Sequence, residues 1–557
     1  MSAASLLTIL PTLATPGSPL PFLYPRTLFQ KRSFPLNVWF FPEDCPVRCY
    51  VAFDVLVKVI RDGLNLRVKY ARNVTDVDDK IIARASRESR TEAEVAQQFH
   101  AEFAHDMHQL NCHQPDIEPK ATEHMDAIIS MIASLEHRGY AYASSNGDVY
   151  FSVSSFSEYG SLTGRMAGTE DEGGNEESTS PSESLKHHSS DFALWKSSKA
   201  GEPAWSSPWG DGRPGWHIEC SAMVHAALGV PVDVHGGGKD LLFPHHENEL
   251  AQGVASGVCD CALHTTERDP AHAMFARVWA HNGFVRDASG EKMAKSIGNT
   301  SSVRDICKRF HPLALRLTLL STHYRADVAI GDEKLHQASE RIFYMLQTLK
   351  ECNDAIASLS SLDNKESNAK GRAHEALQSA QTAIDECDRA LADDMNTPAA
   401  LSALSEPLAG ANALLHGKKK ERQAQGRRKA LQVVSDAMQH VLSLTGLLRN
   451  SQASGENDSE PELTLHELRS YALHRSGFES ESELLDLIAE RTQARNDKDF
   501  KRADAIREQL SVCGIFLMDT PTGDTHWRPG IPLGSHVEEK AAQEGEVGSE
   551  ETASVLR

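Results

Sequence analysis

The chain has 557 residues, 40% hydrophobic and 24% charged, the composition of a soluble protein long enough for three or four domains with separate cores. Its formal net charge is −21, so overall electrostatics would not hold it on nucleic acid, and any RNA contact has to come from local basic patches. Ten scattered cysteines fit a reducing compartment better than a secreted disulfide framework, and no apolar run reaches the roughly 18–20 residues that cross a bilayer.

Residues 1–36 read as a leader. Up to residue 42 there is no Asp or Glu, but Arg26, Lys31 and Arg32 stand among several Ser and Thr. No basic residue precedes the apolar run Leu6–Leu10, which argues against a secretory signal. An acid-poor, hydroxyl-rich segment matches an organelle transit peptide, for mitochondrion or chloroplast; a plain Pro-rich leader on a cytoplasmic protein is the alternative.

Val51–Ile60, Leu66–Tyr70 and a helical run from Asp79 predict alternating helices and strands. Thr91–Leu110 and Glu123–Arg138 have helical spacing, and Gly147–Val153 alternates like a strand. Residues 166–190 are rich in Glu, Ser and Gly and read as a solvated loop. From Lys334 to Leu448 the pattern is almost wholly helical; Asn450–Pro461 reads as a linker, and residues 534–557 as an acidic tail.

Three clusters carry chemistry. The first is Gly215-Trp216-His217-Ile218-Glu219-Cys220. The second runs His235-Gly-Gly-Gly-Lys-Asp240 and on to Phe243-Pro-His-His-Glu-Asn-Glu249. The third is Lys292-Met-Ala-Lys-Ser296. Pro244 suits the first turn of a helix, and His245 and Glu249, four apart, would share one face. With Cys220 they would make a sulfur, nitrogen and oxygen donor set suited to Zn²⁺, with one position open to a substrate. An isolated pair at that spacing is more simply a polar helix face. Gly236–Gly238 permits close backbone approach to a ligand, and Asp240 could bond a ribose hydroxyl; a plain glycine turn is the bland alternative. Lys292 and Lys295 could neutralise phosphate charge in a transition state, or simply sit on a solvated loop.

Taken together, these motifs resemble the cysteinyl-tRNA synthetases, a branch of the class I aminoacyl-tRNA synthetases. Lys292–Ser296 is similar to the KMSKS loop, with Ala294 in place of the usual Ser. Asn73-Val-Thr-Asp-Val-Asp-Asp-Lys80, Trp205-Ser-Ser-Pro-Trp-Gly210 and His323-Tyr-Arg325 match the same branch. The resemblance implies an α/β fold: a Rossmann-type parallel-sheet catalytic domain over residues 37–333, with a connective insert at about 115–200. A helical anticodon-side bundle would follow over 334–448, and a small C-terminal domain over 462–533. It further implies one zinc held by Cys220, His245 and Glu249, and L-cysteine held by Thr75 and Trp216. ATP would lie against Gly236, Gly238, Asp240 and Lys295, with Lys292, Lys295 and Ser296 catalytic, and tRNA(Cys) would be the partner, with no membrane involved.

One signature is absent. The family's first strand leads into a cysteine and a His-Ile-Gly-His-like run immediately before Val51-Ala-Phe-Asp54. Here Asn37–Cys49 stands in that place, and no histidine occurs before His100. Neither Cys45 nor Cys49 has the usual spacing of the first zinc ligand. A mis-spliced or mispredicted form would explain the loss, as would a paralogue that keeps zinc and tRNA binding without adenylation; the intact motifs elsewhere favour the former. A cysteine–amino-sugar ligase would not need the roughly 200 residues after Lys334. A zinc hydrolase would leave the lysine loop unexplained. Arg491, Arg495, Lys498 and Arg502 suggest a basic helix stripe, either for RNA or merely solvated, and Lys418–Lys420 with Arg427–Lys429 forms a second basic cluster, read as a loop.

Overall fold

The computed structural model describes residues 36–40, 46–165, 185–258, 275–287, 289–291, 293, 302–359, 369–448, 460–519 and 525–532. The leader, the 166–184 part of the polar loop, Lys292, Lys295, Ser296 and the acidic tail lie outside the described residues. The chain divides into two compact units. One holds the described residues up to Val285 with Tyr324–Asp327 and Arg389–Asn396; the other holds Arg286–His323, Val328–Asp388 and the rest from Thr397 onward.

The first unit is built on a four-stranded parallel sheet. Strand β1 (Leu36–Phe40) leads into helix α1 (Pro46–Lys58) and on to β2 (Val68–Arg72), which pairs in parallel with β1. Helix α1 is apolar on nearly every face, and Val51, Phe53, Val55, Leu56 and Val57 are fully buried, as expected of a helix sunk in a core. Its buried polar groups find partners: Asp54 pairs with Lys58 at 3.4 Å and accepts the His113 amide at 2.7 Å, and Arg48 donates to the Phe284 carbonyl at 2.7 Å. The final strand order is β2-β1-β7-β8, where β7 is Val232–Gly238 and β8 is Ala276–Asn282. The chain therefore leaves β1 towards β2 on one side and returns much later to β7 on the other. In such sheets ligands bind outside the carboxyl ends of the strands, at this reversal of order.

Between β2 and β7 lies the insert. It is a four-stranded antiparallel sheet, β3 (Ala141–Ala143), β4 (Val149–Phe151), β5 (Phe192–Ser197) and β6 (Gly212–Pro214), with its own core around Ile132, Leu135, Phe151 and Trp195. Tyr324 and Arg325, distant in sequence, also belong to this unit. Arg325 holds both oxygens of Asp394, at 2.6 and 3.0 Å, and the Tyr324 hydroxyl donates to Asp394 at 2.7 Å.

The second unit is mostly helical, with long helices Asp332–Ser358, Arg372–Ala392 and Arg427–Leu444. Its last part pairs helices Glu481–Asn496 and Phe500–Val512 with a two-stranded antiparallel ribbon, Ile515–Asp519 and Thr525–Pro529. Here the basic-stripe expectation is corrected. Arg491 is 4% exposed and grips Asp519 through both guanidinium ends, at 2.8 and 2.9 Å, and Arg495 reaches the same carboxylate at 2.7 Å. Lys498 sits in a left-handed turn between the helices, and Arg502 is bound to Glu490 on the neighbouring helix. The cations hold the domain together and do not form one stripe; regular spacing could not show that the helix breaks at residue 497.

The Arg491 bond, with the Arg charges and Thr525, holds the Asp519 carboxyl below its ordinary pKa. A depressed carboxylate adds stability that is present above its unfolded pKa, about 4, and lost as pH falls through the folded value. Asp519→Asn is expected to raise amide exchange across residues 481–519 at pH 7, with the gap to the parent narrowing below about pH 4. Hydrogen-exchange mass spectrometry reads it; a gap that does not change with pH would refute the assignment.

Candidate active site

Cys220, His245 and Glu249 converge beside His235 of β7. Helix α5 (Trp216–Leu228) begins where β6 ends, and Gly215 permits the join: a Cβ there would stand 2.1 Å from the Ala193 carbonyl oxygen. On α5, Cys220 is fully buried, and Ser221 bonds Gln252 at 2.6 Å, which fixes α5 against helix α6 (Glu247–Ala255). A tight turn over Leu242–His246 carries His245 and His246 into the first turn of α6. The predicted shared face of His245 and Glu249 is realised across this junction.

Cys220, His245 and Glu249 place their ligand atoms within 4.8 Å of one another, all buried. His245 Nε2 stands 2.9 Å from Glu249 Oε1, and His235 Nε2 stands 3.5 Å from Glu249 Oε2. Both Glu249 oxygens are nonetheless buried without a hydrogen-bond partner, as are both ring nitrogens of His235. A carboxylate stripped of water in this way is costly unless a cation or proton joins it. Burial accordingly pushes the Glu249 carboxyl up, and lowers His245 to about 4 and His217 and His235 to about 3, so the imidazoles are neutral at physiological pH. The Nδ1 atoms of His217 and His245 lie 2.8 Å apart, a distance at which one ring N–H donates to the other nitrogen. A proton on His245 Nδ1 leaves its Nε2 lone pair facing Glu249, the tautomer a metal ligand needs. Thiol, neutral imidazole and orphaned carboxylate fit Zn²⁺.

Around this set the other expected residues take distinct places. Asn73, at the end of β2, donates to the Cys220 sulfur at 3.6 Å. Two residues on, the Thr75 hydroxyl is buried without a hydrogen-bond partner. The Trp216 ring lies 4.4 Å from the His245 ring and packs against Cys220 and Leu241. Gly236–Gly238 is the end of β7 and not a turn, which corrects the bland alternative. A Cβ on Gly237 would stand 2.8 Å from Leu241 and 2.9 Å from His246, so the glycines let the histidine turn pack onto the strand. Asp240 follows in a single turn and raises the Cys49 thiol, which burial already pushes up. Cys49 is buried on α1 and is not among the described groups of converging metal ligands; Cys45 lies outside the described residues.

Sequence reasoning assigned no role to His217, His235, His246, His281 or Glu247. His246 Nδ1 lies 2.8 Å from His281 Nε2 on β8. Glu247 is fully buried, and its oxygens accept the amides of Gly160 and Thr163 at 3.0 Å and the Thr163 hydroxyl at 2.8 Å, tying the insert to α6. For His217, His235, His246 and Glu247, membership of the quoted motifs was a signal, but spacing does not say which motif residues face the ligand set; His281 lies in none of those motifs.

Comparison with known proteins follows this geometry. The family of tRNA synthetases class I (C) catalytic domain matches residues 45–340, the DALR domain 387–445, and the cysteinyl-tRNA ligase anticodon binding domain 481–528. The chloroplastic/mitochondrial cysteine–tRNA ligase of Arabidopsis thaliana is 43% identical over 486 residues, 87% of this chain and 80% of that protein. A cysteine–tRNA ligase of Anaeromyxobacter dehalogenans is 42% identical over 487 residues, 86% of this chain and 91% of its own length. The structure of Mycobacterium tuberculosis methionyl-tRNA synthetase with methionyl-adenylate superimposes with a TM-score of 0.54, covering 74% of this chain and 92% of that one; at 13% identity this is a likeness of fold alone.

Proposed function

The chain belongs to the cysteinyl-tRNA ligase family of class I synthetases, and from that premise we propose that it activates L-cysteine with ATP and transfers it to tRNA(Cys). The observation that carries the reading is the convergence of the buried Cys220, His245 and Glu249, whose carboxylate, among the described residues, has only imidazoles beside it at 2.9 and 3.5 Å. Zinc held there would supply a Lewis acid that prefers a thiolate to a hydroxyl or methyl group, so cysteine is separated from serine without an editing site. Thr75 offers its buried hydroxyl to the amino acid, and Trp216 walls the pocket beside His245. Gly236 and Gly238, at the strand end beside the reversal of order, let ATP approach the backbone, and Asp240 accepts from its ribose. The substrate carboxylate then attacks the α-phosphorus, and Lys292, Lys295 and Ser296 balance the charge of the departing pyrophosphate. In the second step the terminal ribose hydroxyl of the tRNA attacks the adenylate carbonyl and AMP leaves.

The acid-poor leader, together with plant relatives named chloroplastic/mitochondrial, supports import into one of those organelles. Cysteine-dependent exchange of pyrophosphate into ATP tests the proposal. Label is expected in ATP with cysteine and not with serine, and cysteinyl-tRNA is expected on adding tRNA. Exchange indifferent to cysteine would refute it.

A further inference from the structure

Beside the Cys220, His245 and Glu249 set lies a second group with ligand geometry: His235 of β7, His246 of the Leu242–His246 turn, and Glu249 again. Its ligand atoms lie within 4.8 Å of one another, and all three residues are fully buried. The ligase reading above uses neither of these histidines. The two groups share Glu249, and its oxygens divide between them. Oε1 faces His245 Nε2 at 2.9 Å, and Oε2 faces His235 Nε2 at 3.5 Å. Two donors bound to one tetrahedral metal at about 2.0–2.1 Å stand roughly 3.3 Å apart, so the second spacing is close to that of ligands sharing a cation.

The imidazole nitrogens make this group unusual. Among the described residues, both ring nitrogens of His235 and Nε2 of His246 are buried without a hydrogen-bond partner. Folded proteins rarely leave buried polar atoms in that state unless an ion or a water takes them up. His246 is also set up as a ligand from its far side. With its proton on Nδ1, donated to His281 Nε2 at 2.8 Å, it keeps the Nε2 lone pair for a metal. A Cβ on Gly237 would stand 3.1 Å from that nitrogen, so the glycine keeps the space beside it open. The Trp279 ring, 4.5 Å from the His235 ring and 5.1 Å from that of His246, walls the group on one side.

We infer that His235, His246 and Glu249 form a second divalent-cation position, bridged to the first through the two oxygens of Glu249. Two imidazoles and a carboxylate oxygen, with no sulfur, suit Zn²⁺, Co²⁺ or Ni²⁺. The position has no thiolate and only a share of one carboxylate against two dications, so it fills after the first and more weakly. His281 is a positioning residue that fixes the His246 ring from behind.

The test titrates Co²⁺ into the untagged full chain after chelator treatment, with absorption spectra and equilibrium dialysis read together. The first equivalent is expected to bring a thiolate-to-cobalt band in the near ultraviolet. The second, weaker equivalent is expected to add visible d–d absorption without further growth of that band. In His235→Ala with His246→Ala the second equivalent is expected to vanish while the sulfur band remains, which also reports that the first site is folded. His281→Ala leaves both histidines in place and is expected to weaken the second equivalent alone by roughly 10–100-fold. A parent chain that saturates at one sulfur-ligated equivalent would overturn the second position and leave the ligase reading standing. A second equivalent that survives in the double histidine variant would overturn it too, since the metal would then be bound elsewhere. Absence of any sulfur-ligated cobalt in the parent would remove the Cys220 set, and with it both the bridged centre and the ligase reading.

Discussion

Cys220→Ser is expected to cost the protein its zinc and to lower cysteine-dependent pyrophosphate exchange by at least about 10²-fold. The figure has a floor: changing a residue that merely supports a ligand costs roughly 10–100-fold in metal affinity, and Cys220 is here proposed as a ligand itself. A serine hydroxyl is a harder, far less acidic donor than a thiol, so the buried Glu249 and His245 would share their site with a weaker partner. Loss of the cation also leaves the Glu249 carboxylate uncompensated at zero exposure, so the variant is expected to melt lower than the zinc-loaded parent. Metal analysis of the purified protein, the exchange rate and the melting temperature report three separate consequences. Full zinc with unaltered exchange would remove Cys220 from the site.

That site was legible in the sequence because each of its residues lies in a motif long enough to outweigh its bland alternative. Cys220, His245 and Glu249 do converge, and the helical spacing of His245 and Glu249 survives a junction between two kinds of turn. What surrounds them was not legible. His235 and His281 reach the cluster from adjacent strands, so their proximity is created by the pairing of His235 with Trp279 and of Gly237 with His281. Glu247 sits between two ligand positions yet faces the insert, a matter of helix rotation that no pattern of residue types records. The arginines of the last domain were misread for the opposite reason. Their counter-charge Asp519 lies on a strand 28 residues beyond Arg491, so a structural ion pair had the periodicity of a surface stripe. The helical bundle followed from its amphipathic runs, whereas the glycine run at 236–238 became a strand because only the sheet supplies its partners.

The chain as written is expected to form the adenylate more slowly than its bacterial relatives, by roughly 10²–10³-fold, the usual cost of losing preorganised donors to a transition state. The reason lies in five residues. Strand β1 ends at Phe40, whose register partners are Arg72 on β2 and Gly236 on β7, and helix α1 begins at Pro46. Residues 41–45, which join the two along the sequence, lie outside the described residues. They read Phe-Pro-Glu-Asp-Cys, with two carboxylates and neither histidine nor a cation, and the match to the catalytic domain family begins at residue 45. That stretch of sequence offers nothing in place of the missing imidazoles to hold a triphosphate. The deficit should fall on the step that makes the pentavalent phosphorus, because the proposed cysteine pocket draws on Cys220, His245, Glu249, Thr75 and Trp216, none of them among residues 41–45. Transfer to tRNA from synthetic cysteinyl-adenylate should consequently stay close to that of an intact relative while pyrophosphate exchange is slow. Replacing residues 41–45 with a longer segment that carries a cysteine and a His-Ile-Gly-His run should recover the exchange rate by about the same 10²–10³ factor. Exchange by the unaltered chain within a few fold of the Anaeromyxobacter enzyme would mean that other groups in the crevice do the work of those histidines.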